Sequence, residues 1–337
     1  MVWTTTGVAG AQPKPVLLDV DPGTDDALAI LLALSSPELS VEAITVVAGN
    51  VDVDTGLRNA LQLVELAGRS DIPVARGAEA PMVGQLVTST HVHGKTGLGN
   101  IKLPPPSTKP YAGGAVDLIV KTIEEHPGRL TLIPVGPLTN IALVLKLRPD
   151  LIADIKEIVL MGGSITGGNI TPAAEFNIYN DPEAADMVFH SGVPIVMVGL
   201  DVTEKTVLKP EDMEGISKNA SQANKLVWGL TDYHITERGA AGLTMHDPLA
   251  VGVAIDPSFV HTESLHVGVE TQGEKTRGET IAARKGFKLE FKEGHGVRTV
   301  VGRTELKPNT KVCVEVDANR FIRFFVQRVL TGSATQE

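Results

Sequence analysis

The sequence predicts an α/β fold with an open, mainly parallel sheet covered by helices on both faces. Two observations lead to this prediction. Short apolar segments rich in β-branched residues recur along the chain, and longer segments with helical periodicity separate them. Strands that are apolar on both faces are typical of parallel sheets, and the intervening helices supply the crossover connections.

The predicted strands and helices alternate through about the first 200 residues. The strands are predicted at residues 16–20, 41–49, 130–136, 155–163 and 194–200. The helices are predicted at residues 25–35, 54–68, 112–126, 138–148 and 181–191. The proline-rich segment 104–110 is predicted to be a surface loop, because the same alternation resumes after it.

The C-terminal part of the chain follows a different pattern. After about residue 203 it is mostly helical up to His246, and it then breaks into short alternating segments such as SLHVGVE and TKVCVEV. These segments are predicted either to extend the sheet or to form a small antiparallel C-terminal β addition, before a final helix at 317–330. We predict a single domain over residues 14–332, with a flexible N-terminus at residues 1–13.

Composition and charge limit the classes of partner. The chain has 337 residues, of which 42% are hydrophobic and 21% charged, as expected for a globular protein with a sizeable core. With 30 basic and 40 acidic side chains and no dense Lys/Arg run, a nucleic acid polymer is not expected as a partner. Cys313 is the only cysteine, which excludes an intramolecular disulfide and a cysteine-rich metal site. Because we find neither a signal peptide pattern nor a membrane span, we expect a cytoplasmic protein that does not act at a membrane.

Polar and glycine residues follow each of the predicted strands. A single turn of this kind is explained by helix capping and tight backbone geometry. Five such turns together predict a ligand site, because open α/β sheets bind ligands at the carboxyl ends of their strands. The residues at these ends are Asp21, Gly49-Asn50, Gly136-Pro137, Gly162-Gly163 and Asp201.

The first of these turns concentrates acidic side chains. In VLLDVDPGTDDALAILLAL, four carboxylates (Asp19, Asp21, Asp25 and Asp26) fall within eight positions. Like charges at this density destabilise one another unless a cation, a proton or hydrogen-bond donors offset them. An acid at a helix start that complements the helix dipole, worth less than about 1 kcal/mol, explains one of the four. Oxygen ligands without cysteine or clustered histidine predict Ca²⁺ or Mg²⁺ rather than zinc.

An alternative interpretation of the same turn is a haloacid-dehalogenase-like phosphatase. The DxDxT pattern fits loosely from Asp19 to Thr24, with Asp19 as nucleophile, Asp21 as acid and Mg²⁺ as the metal. The pair Asp25-Asp26 is not part of that pattern. The lysine and the acidic pair that this class needs later in the chain have no clear counterparts.

Several separated motifs make the chain similar to one known family, the inosine-uridine nucleoside hydrolases. The motifs occur in the expected order: DVDPGTDDALA, VVAGN, HVHGKTGLG, PVGPLTNIA, VLMGG, AAEFNIYNDPEAA and MHDPLAV. The resemblance runs from about Val16 to the final helix and diverges at about residues 271–310. It implies the Rossmann-like nucleoside hydrolase fold and hydrolysis of the N-glycosidic bond of ribonucleosides such as inosine and uridine. It also implies a homodimer or a homotetramer.

The resemblance also implies a metal site and a ribose site. A Ca²⁺ would be held by Asp21, Asp26, Asp247 and the backbone carbonyl of Val135, with Asp21 as the base that activates a metal-bound water. Carboxylates around the sugar would stabilise the ribosyl cation that develops as the bond breaks. The residues implied to hold the ribose are Asp25, Asn50, Met161, Asn169, Glu175, Asn177 and Asp247.

Histidines are expected on the side of the leaving base. His93 and His246 match family positions there, and His246 is implied to protonate or hydrogen-bond the base. His91 is expected to be a surface residue. The segment WGLTDYHITERGAAGLTM offers Tyr233, His234 and Arg238 as further base contacts, and no tyrosine pair for purine stacking is evident in it.

Two further classes of function compete with an enzyme. A nucleoside-binding sensor would keep the pocket without turnover, but it would more naturally lose the base or a metal ligand. A structural oligomer with a vestigial pocket would not need the retained acids. Metal analysis and incubation with inosine distinguish these classes.

Overall fold

The computed structural model describes residues 12–283, 286–294 and 297–332. Most of the predicted flexible N-terminus, residues 1–11, lies outside the described residues. The helices are α1 (Thr24–Leu34), α2 (Val53–Leu66), α3 (Thr90–His93), α4 (Ala115–Glu125), α5 (Thr139–Leu147), α6 (Phe176–Asn180), α7 (Pro182–Phe189), α8 (Leu200–Thr203), α9 (Gln222–Thr236), α10 (His246–Ile255) and α11 (Ala318–Phe325).

The strands form one large sheet and two small two-stranded sheets. They are β1 (Lys14–Val20), β2 (Leu39–Val46), β3 (Val74–Arg76), β4 (Leu130–Pro134), β5 (Ile155–Met161), β6 (Ile195–Val198), β7 (Val207–Leu208), β8 (Leu243–Thr244), β9 (Val260–Val269), β10 (Thr280–Ala283), β11 (Gly286–Gly294), β12 (Val297–Leu306) and β13 (Thr310–Val316). In the described part of the chain, the large sheet has nine strands in the order β10-β9-β13-β6-β5-β4-β1-β2-β3.

The sheet is parallel from β3 to β13, and only β9 and β10 run antiparallel to their neighbours. β1 lies inside the sheet between β2 and β4, where Val20 pairs with Val46 of β2 and Asp19 pairs with Pro134 of β4. The chain therefore leaves these three strands at the same edge of the sheet, which brings Asp21, Asn50 and Val135 together.

Helices cover both faces of the sheet, as predicted. Val16, Leu18 and Val20 of β1 belong to a core cluster with α1, α2, α9, α10 and α11. Leu17 belongs to the opposite cluster with α4, α5 and α7. Alternate side chains of a strand point to opposite faces, so an apolar run such as VLLDV is what a strand buried on both sides requires. The predicted α/β class and mainly parallel sheet are confirmed.

The C-terminal segments adopt both of the arrangements that the sequence left open. TKVCVEV is β13, which extends the parallel sheet, and SLHVGVE lies in β9, which adds to it antiparallel. Strands β11 and β12 pair only with each other among the described residues. The helix predicted at 317–330 is α-helical only over Ala318–Phe325. A π-helical turn covers the remaining residues Val326–Leu330. Within the described ranges, the helices fall short of the length and apolarity that a membrane span requires.

Candidate active site

The carboxyl ends of the central strands border one cavity of about 250 Å³. Twelve of the predicted site residues line this cavity: Asp25, Asn50, His93, Val135, Met161, Asn169, Glu175, Asn177, His234, Arg238, His246 and Asp247. They come from loops and helix starts that lie far apart in the sequence. The predicted ligand site at this edge is therefore a real concavity.

Asp26 organises the turn between β1 and α1. Its Oδ1 accepts a hydrogen bond from the backbone N–H of Asp21 at 3.0 Å, and its Oδ2 accepts one from Gly23 at 2.8 Å. The side-chain amide of Asn50 donates to the same Oδ2 at 3.1 Å. Asp26 is fully buried below the cavity. One acid of the cluster thus holds the turn closed, which is the structural role that the sequence allowed for.

Asp21 lies beside this turn and has one oxygen free. Its Oδ2 accepts a hydrogen bond from the backbone N–H of Asn50 at 2.7 Å, whereas its Oδ1 is buried without a hydrogen-bond partner among the described residues. A Cβ atom at Gly49 or Gly136 would lie 2.1 or 2.7 Å from the Asp21 oxygens, so glycine is needed at both positions. Burial, and next the charge of Asp26, raise the pKa of Asp21 well above its usual value.

Three carboxylates from two helices meet under the cavity. Single oxygens of Asp25, Asp26 and Asp247 lie within 4.8 Å of one another, and all three residues are buried. Burial, followed by the charge of Asp25, raises the pKa of Asp26 to about 7 and that of Asp247 well above its usual value. The Oδ1 of Asp25 is also buried without a partner among the described residues. Such a group of hard oxygen atoms fits a metal ion.

The closest group differs in one member from the predicted ligand set. The prediction joins Asp21 with Asp26, Asp247 and the Val135 carbonyl, whereas the three closest carboxylates include Asp25 instead of Asp21. The carbonyl oxygen of Val135 accepts a hydrogen bond from the side-chain amide of Asn177 at 2.7 Å. Asp21 lies next to this group, and its free Oδ1 extends the set of available oxygens.

The opposite wall of the cavity is built around Glu175. Its carboxylate accepts backbone hydrogen bonds from Asn177 at 2.9 Å, Ile178 at 3.1 Å and Gly163 at 2.9 Å. It thereby caps α6 and joins it to the loop after β5. Burial raises the pKa of Glu175 to about 7. The Oδ1 of Asn169 accepts a hydrogen bond from the backbone of Phe176 at 2.9 Å.

Four histidines, His91, His93, His234 and His246, also line the cavity. Burial lowers the pKa of His93 to about 3 and that of His234 to about 4, and it also lowers the pKa of His246. The lowered pKa values favour the neutral form of these rings at pH 7. The Nδ1 of His246 lies 2.8 Å from the hydroxyl of Thr203, which fixes the orientation of the ring. His91, expected to be a surface residue, also reaches the cavity, although it is exposed.

Asp21 and Asp26 are buried and do not line the cavity themselves, and three further residues considered from the sequence also lie outside its lining. The Oδ1 of Asp19 accepts hydrogen bonds from Thr45 at 2.6 Å and Asn140 at 2.8 Å, so it is not placed to attack a substrate. Tyr233 packs its ring over Gly99. Asp201 lies in α8, and its carboxylate accepts hydrogen bonds from the backbone of Ile165 at 3.0 Å and the hydroxyl of Thr166 at 2.7 Å. It orders that loop instead of facing a ligand.

The sequence did not single out the hydroxyl groups that hold the site residues. Ser89 donates to the Oδ1 of Asn50 at 2.5 Å, Thr203 contacts His246, and Thr24 lies between His93 and His234. Thr24 lies within the motif DVDPGTDDALA, and Ser89 lies two positions before HVH. Their place in or beside those motifs was the only indication of this role.

Comparison with known proteins decides the family. The family model of the inosine-uridine preferring nucleoside hydrolases matches residues 16–323. The chain belongs to the inosine-uridine preferring nucleoside hydrolase family. The resemblance inferred from the motifs is confirmed, and with it the prediction of an enzyme that hydrolyses nucleosides.

The chain is similar to several ribonucleoside hydrolases. The pyrimidine-specific ribonucleoside hydrolase RihA of Citrobacter koseri is 44% identical over 320 residues, which cover 94% of this chain and 97% of that protein. A purine-preferring ribonucleoside hydrolase from Gardnerella vaginalis has a solved structure with a TM-score of 0.83 and 35% identity, covering 95% and 99% of the two chains. A plant nucleoside hydrolase, PpNRh1, has the same TM-score and identity, covering 94% and 99%.

Proposed function

We propose that this nucleoside hydrolase cleaves the N-glycosidic bond of pyrimidine ribonucleosides, releasing free base and ribose. The observation that supports it most is that carboxylates, side-chain amides and histidines together line one cavity. The cavity of about 250 Å³ suits a small molecule. The high identity to the pyrimidine-specific relatives favours uridine and cytidine over purine nucleosides.

The lining of the cavity also favours a pyrimidine. Among the described residues, no tyrosine or tryptophan lines it, and Phe176 is the only aromatic ring there besides the histidines. A bicyclic purine offers a larger face to stacking rings, whereas a pyrimidine carries a carbonyl oxygen on the carbon next to its glycosidic nitrogen, where a hydrogen-bond donor can reach it. Arg238 is exposed at the cavity and has no ion pair among the described residues, so its guanidinium is available for such an oxygen.

We propose Ca²⁺ as the metal, held by Asp21, Asp26, Asp247 and the Val135 carbonyl, with Asp25 close by. The buried oxygens of Asp21 and Asp25 that lack hydrogen-bond partners support this proposal. The donors are all oxygens, as Ca²⁺ prefers. When bound, Ca²⁺ would supply the positive charge that offsets carboxylate burial, keeps Asp21 ionised and makes a coordinated water more acidic.

The residues of the site then have different roles in the reaction. Asp21 accepts the proton of the attacking water through its free Oδ1. Asp25, Asn50, Asn169, Glu175, Asn177 and Asp247 hold the ribose hydroxyls, and Met161 packs against the sugar. Negative charge around the ribose stabilises the positive charge that develops on it as the bond to the base breaks. His246 and His93 assist the departure of the base.

A direct assay separates this proposal from the phosphatase alternative. Incubation with uridine should release ribose and uracil in equal amounts, while p-nitrophenyl phosphate should remain intact. Phosphate release at a comparable rate, or no ribose from any ribonucleoside, would reject the proposal.

A further inference from the structure

The hydroxyl of Thr24 lies between two histidines. Its Oγ1 is 2.9 Å from the Nδ1 of His93 and 2.9 Å from the Nε2 of His234. Thr24 is fully buried at the start of α1, His93 ends α3, and His234 lies in the last turns of α9. Three segments that are distant in the sequence therefore meet at one buried hydroxyl.

The backbone N–H of Thr24 fixes the tautomer of His93. It donates a hydrogen bond to the same Nδ1 at 3.1 Å. This N–H belongs to the first turn of α1, where it has no carbonyl partner within the helix. Because a backbone N–H can only donate, the Nδ1 of His93 must accept, and the neutral ring carries its proton on Nε2. The Oδ1 of Asp25, at 3.6 Å from Nδ1, is too distant to compete.

The directions of the other two hydrogen bonds follow from this one. The accepting Nδ1 of His93 has one lone pair, which the Thr24 N–H and hydroxyl share; the hydroxyl oxygen is the closer of the two donor atoms, at 2.9 Å against 3.1 Å, and it donates its only proton there. Its oxygen can then only accept from His234, which must carry a proton on Nε2. The result is a chain with one direction, from His234 through Thr24 to His93.

This series of hydrogen bonds leaves one polar atom of His93 available to a ligand. The ring lines the cavity, and its Nε2 has no hydrogen-bond partner among the described residues. This Nε2–H is a neutral donor. In a pyrimidine nucleoside the C2 carbonyl oxygen flanks the glycosidic nitrogen, and it gains negative charge as the bond to C1′ breaks.

We infer that Thr24 and His234 are positioning residues, which hold His93 so that its Nε2–H donates to the C2 carbonyl oxygen of the departing base. This inference rests on the proposed function. The C1′–N1 bond breaks and its electron pair goes to the base, which leaves as the N1 anion and takes a proton from solvent. The water oxygen bonds to C1′, and its proton goes to Asp21, which returns it to solvent. His93 keeps its proton and contributes a hydrogen bond to the developing charge.

The first test removes the hydroxyl alone. Thr24→Val should lower kcat with uridine about 3- to 10-fold, the effect of one hydrogen bond. It should change kcat with p-nitrophenyl riboside by less than about twofold, because nitrophenolate leaves without such help. Thr24→Ser should restore uridine hydrolysis to within about twofold. Equal losses on the two substrates, or none on either, would overturn the inference.

A matched control comes from Thr122. It is also buried, but its hydroxyl donates to the Leu118 carbonyl within α4. Thr122→Val should leave both substrates unaffected. If it lowered uridine hydrolysis as much as Thr24→Val does, the effect of Thr24→Val would be one of general packing and the inference would fail.

A double-mutant cycle tests the link to His234. His234→Phe should slow uridine no more than Thr24→Val does. The double variant should be no slower than Thr24→Val alone, because loss of the hydroxyl already disconnects His234. If the losses of kcat in the two single variants added up in the double variant, the two residues would act separately. That result would contradict the hydrogen-bond series from His234 through Thr24 to His93.

Nitrogen NMR of the histidine rings tests the chain without substrate. With ¹⁵N-labelled histidine in the holoenzyme, His93 and His234 should both be protonated at Nε2. Thr24→Val should leave the tautomer of His93 unchanged and alter that of His234. A proton on the Nδ1 of His93 would overturn the inference. If these tautomers were observed but the protein hydrolysed no ribonucleoside, only the proposed function would be rejected.

Discussion

The carboxylate of Asp21 accepts a hydrogen bond from the backbone N–H of Asn50 at 2.7 Å, across the ends of two neighbouring parallel strands. This bond occupies Oδ2 and fixes the orientation of the carboxylate. Oδ1 stays buried and without a partner among the described residues. The bond made by Oδ2 thus orients the carboxylate with Oδ1 unbonded, as the proposed role of Asp21 as a base requires.

Asp21→Asn should reduce kcat with uridine by at least about 10²- to 10⁴-fold, because the amide cannot take a proton from water. The protein should remain folded, since the amide oxygen can still accept from Asn50. Circular dichroism and steady-state kinetics check both points.

Asp19→Asn is the matched control, and it also tests the phosphatase alternative. The Oδ1 of Asp19 accepts hydrogen bonds from Thr45 and Asn140, and Asp19 is not part of the group of carboxylates under the cavity. Its replacement should leave kcat within about tenfold of the parent enzyme. An Asp21→Asn enzyme with most of its kcat, or an Asp19→Asn enzyme with none, would refute the assigned roles.

The folded protein should carry one Ca²⁺ per chain, since the carboxylates of the cluster provide only oxygen ligands. Elemental analysis measures this directly. Removal of the ion with a chelator should abolish hydrolysis, and added Ca²⁺ should restore it. Preparations that are active with zinc alone, or with no metal, would be inconsistent with the calcium site.

The stability of the chelated protein should fall as the pH rises from about 4 to about 7. Burial raises the pKa values of Asp26 and Glu175 from 3.8 and 4.5 to about 7 in the folded chain. Groups with raised pKa values contribute stability that is complete below their unfolded values and is lost as the pH passes their folded values. Thermal unfolding in excess chelator, compared at about pH 5 and about pH 8, measures the trend.

Calcium should change this pH dependence. It binds the ionised carboxylates, so the increase in Tm on adding Ca²⁺ should be larger at about pH 8 than at about pH 5. If the chelated protein became more stable as the pH rose from about 5 to about 8, the pKa values of the buried carboxylates would not be raised in the folded protein.

His246→Ala should slow uridine about 10²- to 10⁴-fold and leave p-nitrophenyl riboside within a few-fold, if the ring assists departure of the base. The same comparison applies to His93→Ala. His261, an exposed residue of β9, supplies the control substitution, which should affect neither substrate. If His246→Ala lowered kcat equally with both substrates, the role of His246 would be to position Asp247 and not to assist the leaving base.

Much of the site followed from the sequence because parallel strands end at one edge. Asp21 and Asn50 each follow a strand by a few residues, so their meeting is a consequence of strand order. The contact of Thr203 with His246 spans 43 positions and that of Thr24 with His234 spans 210, and no periodicity connects such residues.

Helix phase explains the remaining difference between expectation and structure. Tyr233 and His234 are adjacent on α9, where successive side chains diverge by about 100°. Only His234 therefore faces the cavity, while Tyr233 lies over Gly99. The start of this helix sets which of the two turns inward, and the local sequence did not fix that register. The β11–β12 pair is a small antiparallel addition of the kind predicted, but the sequence did not show which segments would form it, because short alternating segments do not specify their partners.

The most direct test of the account is a comparison of kcat/KM for uridine, cytidine, inosine, adenosine, guanosine and xanthosine, with free ribose as the product measured. The account predicts ribose from uridine and cytidine, with kcat/KM at least about tenfold above that for each purine nucleoside, a difference of about 1.4 kcal/mol in transition-state binding. Faster hydrolysis of inosine or guanosine than of uridine would contradict the pyrimidine preference. The absence of ribose from all six would contradict the hydrolase itself.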